Sequence, residues 1–311
     1  MSFTTLIDTV ELGKLVQEQP SRLVLLDCRF DLGKPEAGRQ AYADGHIPGA
    51  RYADLNRNLA APITAHSGRH PLPAPLELLG FFASLGITAD TQAVAYDEAN
   101  GSFAARAWWL LRWVGHSQAA VLDGGYRGWI AAGGSIETGG EVATCGDVGN
   151  GRATDRGSMG RSIGTGADQL TATAPATAQP QPVTAAEVLE ALEDGRRAVV
   201  DARAPERFAG DIEPIDPVAG HVTGAVNHPF SRNLDAENRF LPAVELRRRW
   251  LETLNGKDPG DTILMCGSGV TACHNALAME VAGLPGAKLY AGSWSEWIRD
   301  PARPVARGAA R

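Results

Sequence analysis

At 311 residues the chain is long enough for two domains of ordinary size, each able to bury its own core. Hydrophobic residues make up 44% and charged residues 21%, a balance that excludes a largely disordered or membrane-embedded chain. The formal net charge of -7 argues against nucleic-acid binding, which shows as a basic face, and four cysteines (28, 145, 266 and 273) are too few for a disulfide framework.

The N-terminus, Met1-Ser-Phe-Thr-Thr-Leu-Ile-Asp8, has no basic segment leading into a long apolar one, so no secretory signal is read and a cytoplasmic location is expected. Leu12, Leu15 and Val16 then mark a first helix. Leu23-Val-Leu-Leu-Asp27 and Ala93-Val-Ala-Tyr-Asp97 are apolar on both faces, as buried parallel strands are. Between them lie the turn Gly45-His46-Ile-Pro-Gly49-Ala50 and the loop Gly68-Arg69-His70-Pro71. A helical stretch, Ala104 to Val114, carries Trp108, Trp109 and Trp113 at spacings that suit a core or a domain interface. Val121-Leu-Asp-Gly-Gly125 and Trp129 complete this half.

From Gly139 to Pro182 the chain is rich in Gly, Ala, Thr and Gln and nearly free of large apolar residues, so it reads as a linker. Thr184 followed by Glu187 forms a capping-box pattern that starts the next helix. The earlier landmarks now return in order. Ala198-Val-Val-Asp201-Ala-Arg203 matches the strand with Asp27 and Arg29, Gly220-His221 matches Gly45-His46, Thr262-Ile-Leu-Met-Cys266 matches the strand ending in Asp97, and Gly292 with Trp297 matches Gly125 with Trp129. Such regular recurrence indicates a duplicated domain. The division expected is 1–138, a linker over 139–182, and 183–311, with Asp97 in the first copy where the second has a thiol. Residues present in both halves, namely Asp27 with Arg29, Asp201 with Arg203, His46 and His221, are read as structural.

Cys266 ends a strand and opens the loop Gly267-Ser268-Gly269-Val270-Thr271-Ala272, ahead of a helix over Cys273 to Val281. At the carboxyl end of a parallel strand, backbone N–H groups of such a loop and of the first helical turn face inward and favour a thiolate. Gly267 and Gly269 allow positive φ and close approach, and Ser268 and Thr271 add hydroxyls. No paired Cys-x-x-Cys elements accompany Cys273 and His274, so no metal is expected. Arg207, just past the strand that carries Asp201, offers a two-pronged match to an anion.

The duplicated pattern, with Asp-x-Arg, Gly-His-x-x-Gly-Ala and the loop from Cys266 to Ala272, resembles the two-domain rhodanese-type sulfurtransferases, and the loop is most similar to that of the 3-mercaptopyruvate sulfurtransferases. The resemblance implies tandem rhodanese-like α/β domains, each a mostly parallel sheet flanked by helices. It also implies sulfur transfer from a small anionic donor through a persulfide on Cys266 to a thiol such as thioredoxin, a small thiol, or cyanide, with no cofactor. The same resemblance assigns catalysis to Cys266, Ser268 and His70, and substrate binding to Arg207 and to the loop residues Gly267, Gly269, Val270 and Thr271. At position 216, where 3-mercaptopyruvate enzymes carry a second arginine, the chain has Asp216, expected to repel a donor carboxylate. Thiosulfate is therefore the alternative donor. The acidic member of a Ser268 and His70 relay falls at Asn56, with Asp54 two residues before it.

Two other classes compete. Cysteine phosphatases grip phosphate with an arginine six positions after the cysteine, and Ala272 stands there. A sulfur carrier without turnover would keep the thiol but use it once per partner, and an intact Cys266 loop favours the enzyme.

Overall fold

The computed structural model describes residues 2–139 and 179–308. Nearly all of the expected linker, and Cys145 with it, lies outside the described residues.

The first half runs β1 (Leu6–Ile7), α1 (Thr9–Glu18), β2 (Leu23–Asp27), α2 (Ala37–Asp44), β3 (Arg51–Tyr52), α3 (Pro75–Ser84), β4 (Gln92–Tyr96), α4 (Ala104–Trp113), β5 (Ala119–Leu122) and α5 (Gly125–Ala131). Its five strands form one parallel sheet in the order β1-β5-β4-β2-β3. The second half follows with α6 (Ala185–Asp194), β6 (Val199–Asp201), α7 (Pro205–Ala209), β7 (His221–Val222), β8 (Val226–Asn227), α8 (Ala243–Leu254), β9 (Ile263–Met265), α9 (Thr271–Val281), β10 (Lys288–Leu289), α10 (Ser293–Trp297) and β11 (Val305–Ala306). The parallel order β10-β9-β6-β8 repeats β5-β4-β2-β3, and β7 pairs antiparallel with β11. The duplication read from sequence is thus a duplication of topology.

The landmarks do the same work in each copy. Asp27 pairs with Tyr96 across the ladder and Asp201 with Met265, so Asp97 and Cys266 occupy one structural position, just past the carboxyl end of a central strand. Arg29 forks onto Asp27 and also donates to the Gly45 carbonyl (2.7 Å). Arg203 forks onto Asp201 and donates to the Gly220 carbonyl (2.8 Å). His46 and His221 each place Nδ1 2.8 Å from a backbone carbonyl, Tyr42 and Phe208 respectively. These pairs tie a strand to the next turn, which is a structural task.

Helix starts follow local chemistry. Asp8 accepts the Glu11 N–H at α1, and Thr184 and Glu187 form the reciprocal capping box at α6. α9 begins at Thr271, two residues before the start read from sequence. Gly269 takes φ +77° and Val270 already lies in the right-handed region, so the helix closes directly on the loop.

The halves share their largest core. Trp108, Trp109 and Leu110 of α4 belong to the same buried cluster as Leu277 and Met279 of α9 and Trp250 of α8. Phe240 stacks on His274 with centroids 4.4 Å apart, His274 Nε2 lies 3.0 Å from the Asn100 carbonyl, and the Phe240 N–H donates to Asp123. Chain from the second half therefore reaches the carboxyl ends of strands β4 and β5 in the first.

Candidate active site

The backbone of Cys266 and Gly267 is held by three hydrogen bonds to the segment 293–295. The Cys266 N–H donates to Ser293 Oγ (3.1 Å), its carbonyl accepts the Trp294 N–H (3.0 Å), and the Gly267 carbonyl accepts that of Ser295 (3.0 Å). Ser293 holds a left-handed φ of +53°, which costs a non-glycine residue about 1 kcal/mol. Its hydroxyl also donates to the Tyr290 carbonyl, so the strained residue ties two segments to the nucleophile.

The two glycines serve different ends. Gly269 uses its positive φ, and a Cβ there would run into the Ala291 carbonyl. In that conformation its N–H donates to Cys266 Sγ at 3.1 Å. Gly267 does not take the left-handed region, contrary to the sequence reading. Its missing Cβ leaves room for Arg69, whose Nη2 would stand 2.9 Å from such an atom. Val270 is 5% exposed and packs into the shared core, so any part it has in binding falls to its backbone. Thr271 is the first residue of α9. Cys273 is fully buried, its thiol pushed up to about 12 by burial and its Sγ donating to the Gly269 carbonyl, so it is a packing residue at neutral pH.

Ser268 and His70 meet across the domain boundary, with Oγ 2.7 Å from Nδ1. Burial, then the charges of Arg106 and Arg69, push His70 down to about 3, so its ring is neutral at any working pH. Asp54 does not complete a relay, because its carboxylate accepts the backbone N–H groups of Asn56 and Arg57 instead. Among the described residues no carboxylate bonds His70.

Arg106 went unnoticed in the sequence, although an arginine set among Ala and Trp in α4 is a signal. It is completely buried and donates to the carbonyls of Leu59, His70 (3.2 Å), Pro71 and Gly269 (3.1 Å). One guanidinium thereby fixes the backbone of both His70 and the cysteine loop.

Arg207, on α7, stands beside the loop with both Nη atoms 3.6 Å from a Cβ placed on Gly267. It is not free. It forks onto Glu213 (Nη2 to Oε1 2.7 Å) and reaches Asp216 (3.2 Å), and Asp216 also pairs with Arg69. Although burial works the other way, the bonds from Arg207 and from the Asp216 and Ile215 N–H groups hold Glu213 below the usual carboxylate range. Asp216 is raised by burial and by Glu213. The expected repulsion from a bare carboxylate at 216 is corrected here, since Asp216 is flanked by two guanidiniums.

The first half shows what such a loop does with an anion. Asp97 accepts N–H groups from Ala99, Gly101 (2.9 Å), Phe103 (2.8 Å) and Ala104, so a carboxylate fills that cradle permanently. Gly124 and Ala99 line a 410 Å³ cleft beside it that holds no nucleophile. Among the described residues there is no group of His, Cys, Asp and Glu arranged to hold a metal ion.

Comparison with known proteins shows the family. The rhodanese-like domain family matches residues 8–132 and again 184–300. A probable 3-mercaptopyruvate sulfurtransferase of Pseudomonas aeruginosa is 43% identical over 310 residues, covering 99% of this chain and 100% of that protein. A putative thiosulfate sulfurtransferase of Mycobacterium tuberculosis is 38% identical, covering 98% of each. The solved 3-mercaptopyruvate sulfurtransferase of Leishmania major superposes with a TM-score of 0.72 at 27% identity, over 94% of this chain and 74% of that one. With two rhodanese domains, one cysteine loop and relatives of this likeness along its whole length, the chain belongs to the two-domain rhodanese-type sulfurtransferases.

Proposed function

We propose that the enzyme moves a sulfane sulfur from 3-mercaptopyruvate to a thiol, thioredoxin or a small thiol, or to cyanide, through a persulfide on Cys266. The Cys266 thiolate attacks the donor's sulfur and the carbon–sulfur bond breaks. Its electron pair passes into the enolate of pyruvate, and the proton of the donor thiol ends on the enolate carbon. The outer sulfur then leaves with the attacking acceptor, and the Cys266 thiolate is restored. The observation that carries this reading is the Gly269 N–H at 3.1 Å from Sγ, a donor already in place for charge that passes between sulfurs.

Ser268, two residues after Cys266, is hydrogen-bonded to His70 Nδ1. A ring whose protonated form is so disfavoured is a poor proton store, so His70 orients the Ser268 hydroxyl, and that hydroxyl guides the donor's proton. Arg207 binds the donor's anionic group. The backbone of Gly267 to Thr271 forms the floor.

Thiosulfate is the second reading, favoured by the relative named for that donor. Turnover with each donor at equal concentration, with one common acceptor, decides between them: faster turnover with 3-mercaptopyruvate supports the first, and preference for thiosulfate replaces it. Labelling of Cys266 without turnover would instead make the protein a sulfur carrier. We also take residues 1–138 and 183–311 as the domain limits, supported by the strand order, and place the reaction in the cytoplasm, where a thiolate stays reduced. Among the described residues no helix is long and apolar enough to cross a membrane.

A further inference from the structure

We infer that Arg69, carried by the non-catalytic domain, is a second donor-binding cation, and that Asp216 fills the pair of guanidiniums as an internal stand-in for the donor's anionic group. The inference rests on the sulfurtransferase reading and makes its donor site a product of both domains.

The backbone of Arg69 is fixed by the catalytic half. Its N–H donates to Ser295 Oγ (3.0 Å), and the preceding Gly68 lies so close to the Gly292 carbonyl that no Cβ would fit. The side chain is 23% exposed, and its Nη2 and both Nη atoms of Arg207 lie close to the same point beside Gly267, the residue next to Cys266. An anion at that point therefore meets two guanidiniums, one from each domain. This is the arrangement that binds a carboxylate or thiosulfonate by charge-assisted hydrogen bonds.

The two carboxylates already there differ in how firmly they are held. Glu213 accepts a fork from Arg207, a bond from Arg203 and two backbone N–H groups, so it is a fixed part of the wall. Asp216 accepts from Arg69 and Arg207 alone, with no backbone donor among the described residues. Its raised pKa agrees with an ion that its surroundings compensate poorly. An incoming carboxylate can take both of its bonds without leaving any backbone donor unpaired. Arg203 stays with Asp201 and Glu213 and takes no part.

Steady-state kinetics of Arg69→Ala, Asp216→Asn and the double variant, with 3-mercaptopyruvate and a common acceptor, test this. Asp216→Asn is expected to lower KM several-fold by removing the internal competitor. Arg69→Ala is expected to raise it about tenfold with kcat within about threefold, because a contact shared by ground and transition states is lost. The double variant decides. If Arg69 contacts the donor, its removal raises KM by a similar factor when Asp216→Asn is already in place. Should Arg69 merely neutralise Asp216, its removal there has no effect and the inference is overturned. An Arg69→Ala enzyme with both constants unchanged also overturns it while leaving the sulfurtransferase reading standing. Arg69→Lys, which keeps the charge and loses the fork, recovers part of the loss if the contact is with an anion.

Discussion

Cys266 is held by groups that are already in place. Gly269 donates to its sulfur, Ser293 accepts from its N–H, and Ser268, two residues on, is hydrogen-bonded to His70. Arg207→Ala is expected to raise KM for an anionic donor about tenfold with a small change in kcat, and unchanged kinetics would contradict the clamp. The neutral His70 leads to a second expectation. A group held at about 3 does not titrate between about pH 5.5 and 7.5, so kcat/KM of the wild type and of His70→Asn should run parallel there. A wild-type step near 6.5 that the variant lacks would show that His70 gains a proton during the cycle. Much of this site was legible residue by residue, because Cys266, Gly267, Ser268 and Gly269 are contiguous and their small side chains announce a tight loop. Arg69, Arg106 and Ser293 were not. Each acts on a residue far away in sequence, and a single arginine in a loop or helix has no local mark that tells a buried clamp from a solvated surface charge.

α4 and the Cys266 loop form one mechanical unit, through Arg106. Replacing it by Met keeps the packing volume but strips buried carbonyls of their donor, which is expected to cost about 3 kcal/mol, read as a lower denaturant midpoint. A stable Arg106→Met protein would show that the cluster is incidental. The repeat offsets also acquire a physical reason at this scale. Asp97 and Gly125 are 28 residues apart, whereas Cys266 and Gly292 are 26 apart. The difference lies in the loops, six residues at 98–103 against four at 267–270. The longer one brings four backbone N–H groups onto its carboxylate, and the shorter one brings one, from Gly269, onto its sulfur. Strand and helix order was readable because buried parallel strands and capping boxes are strong local signals. The start of α9 was missed, since the left-handed turn at Gly269 that lets the helix begin at Thr271 is a conformation, not a composition.

Two copies of one domain form a single candidate site, because the first supplies His70, Arg69 and Arg106 to a loop of the second. That dependence was invisible in a chain read one segment at a time, although Asp97 at the position matching Cys266 marked the second copy as the one with a thiol there. Acid should weaken the molecule as a whole. His70, His228 and His274 are each buried and pushed down to about 3, while an unfolded histidine takes its proton near 6.5. Between those limits the unfolded chain binds more protons, so stability is complete above about pH 6.5 and falls as pH drops, by up to about 1.4 kcal/mol per unit for each histidine. His228, stacked on Trp250 and bonded to Thr253 and Asn233, is a convenient probe away from the nucleophile. Its replacement by Gln should flatten the fall of unfolding free energy between pH 6.5 and 5, and a parallel slope would contradict the assignment.

Mass spectrometry of the protein after brief exposure to 3-mercaptopyruvate, and again after cyanide, tests the central claim most directly. The account predicts a gain of one sulfur atom on the peptide that carries Cys266, its disappearance with cyanide, and no gain in Cys266→Ser. Turnover without any sulfur on that side chain, or sulfur found on Cys28 or Cys273 in its place, would contradict it.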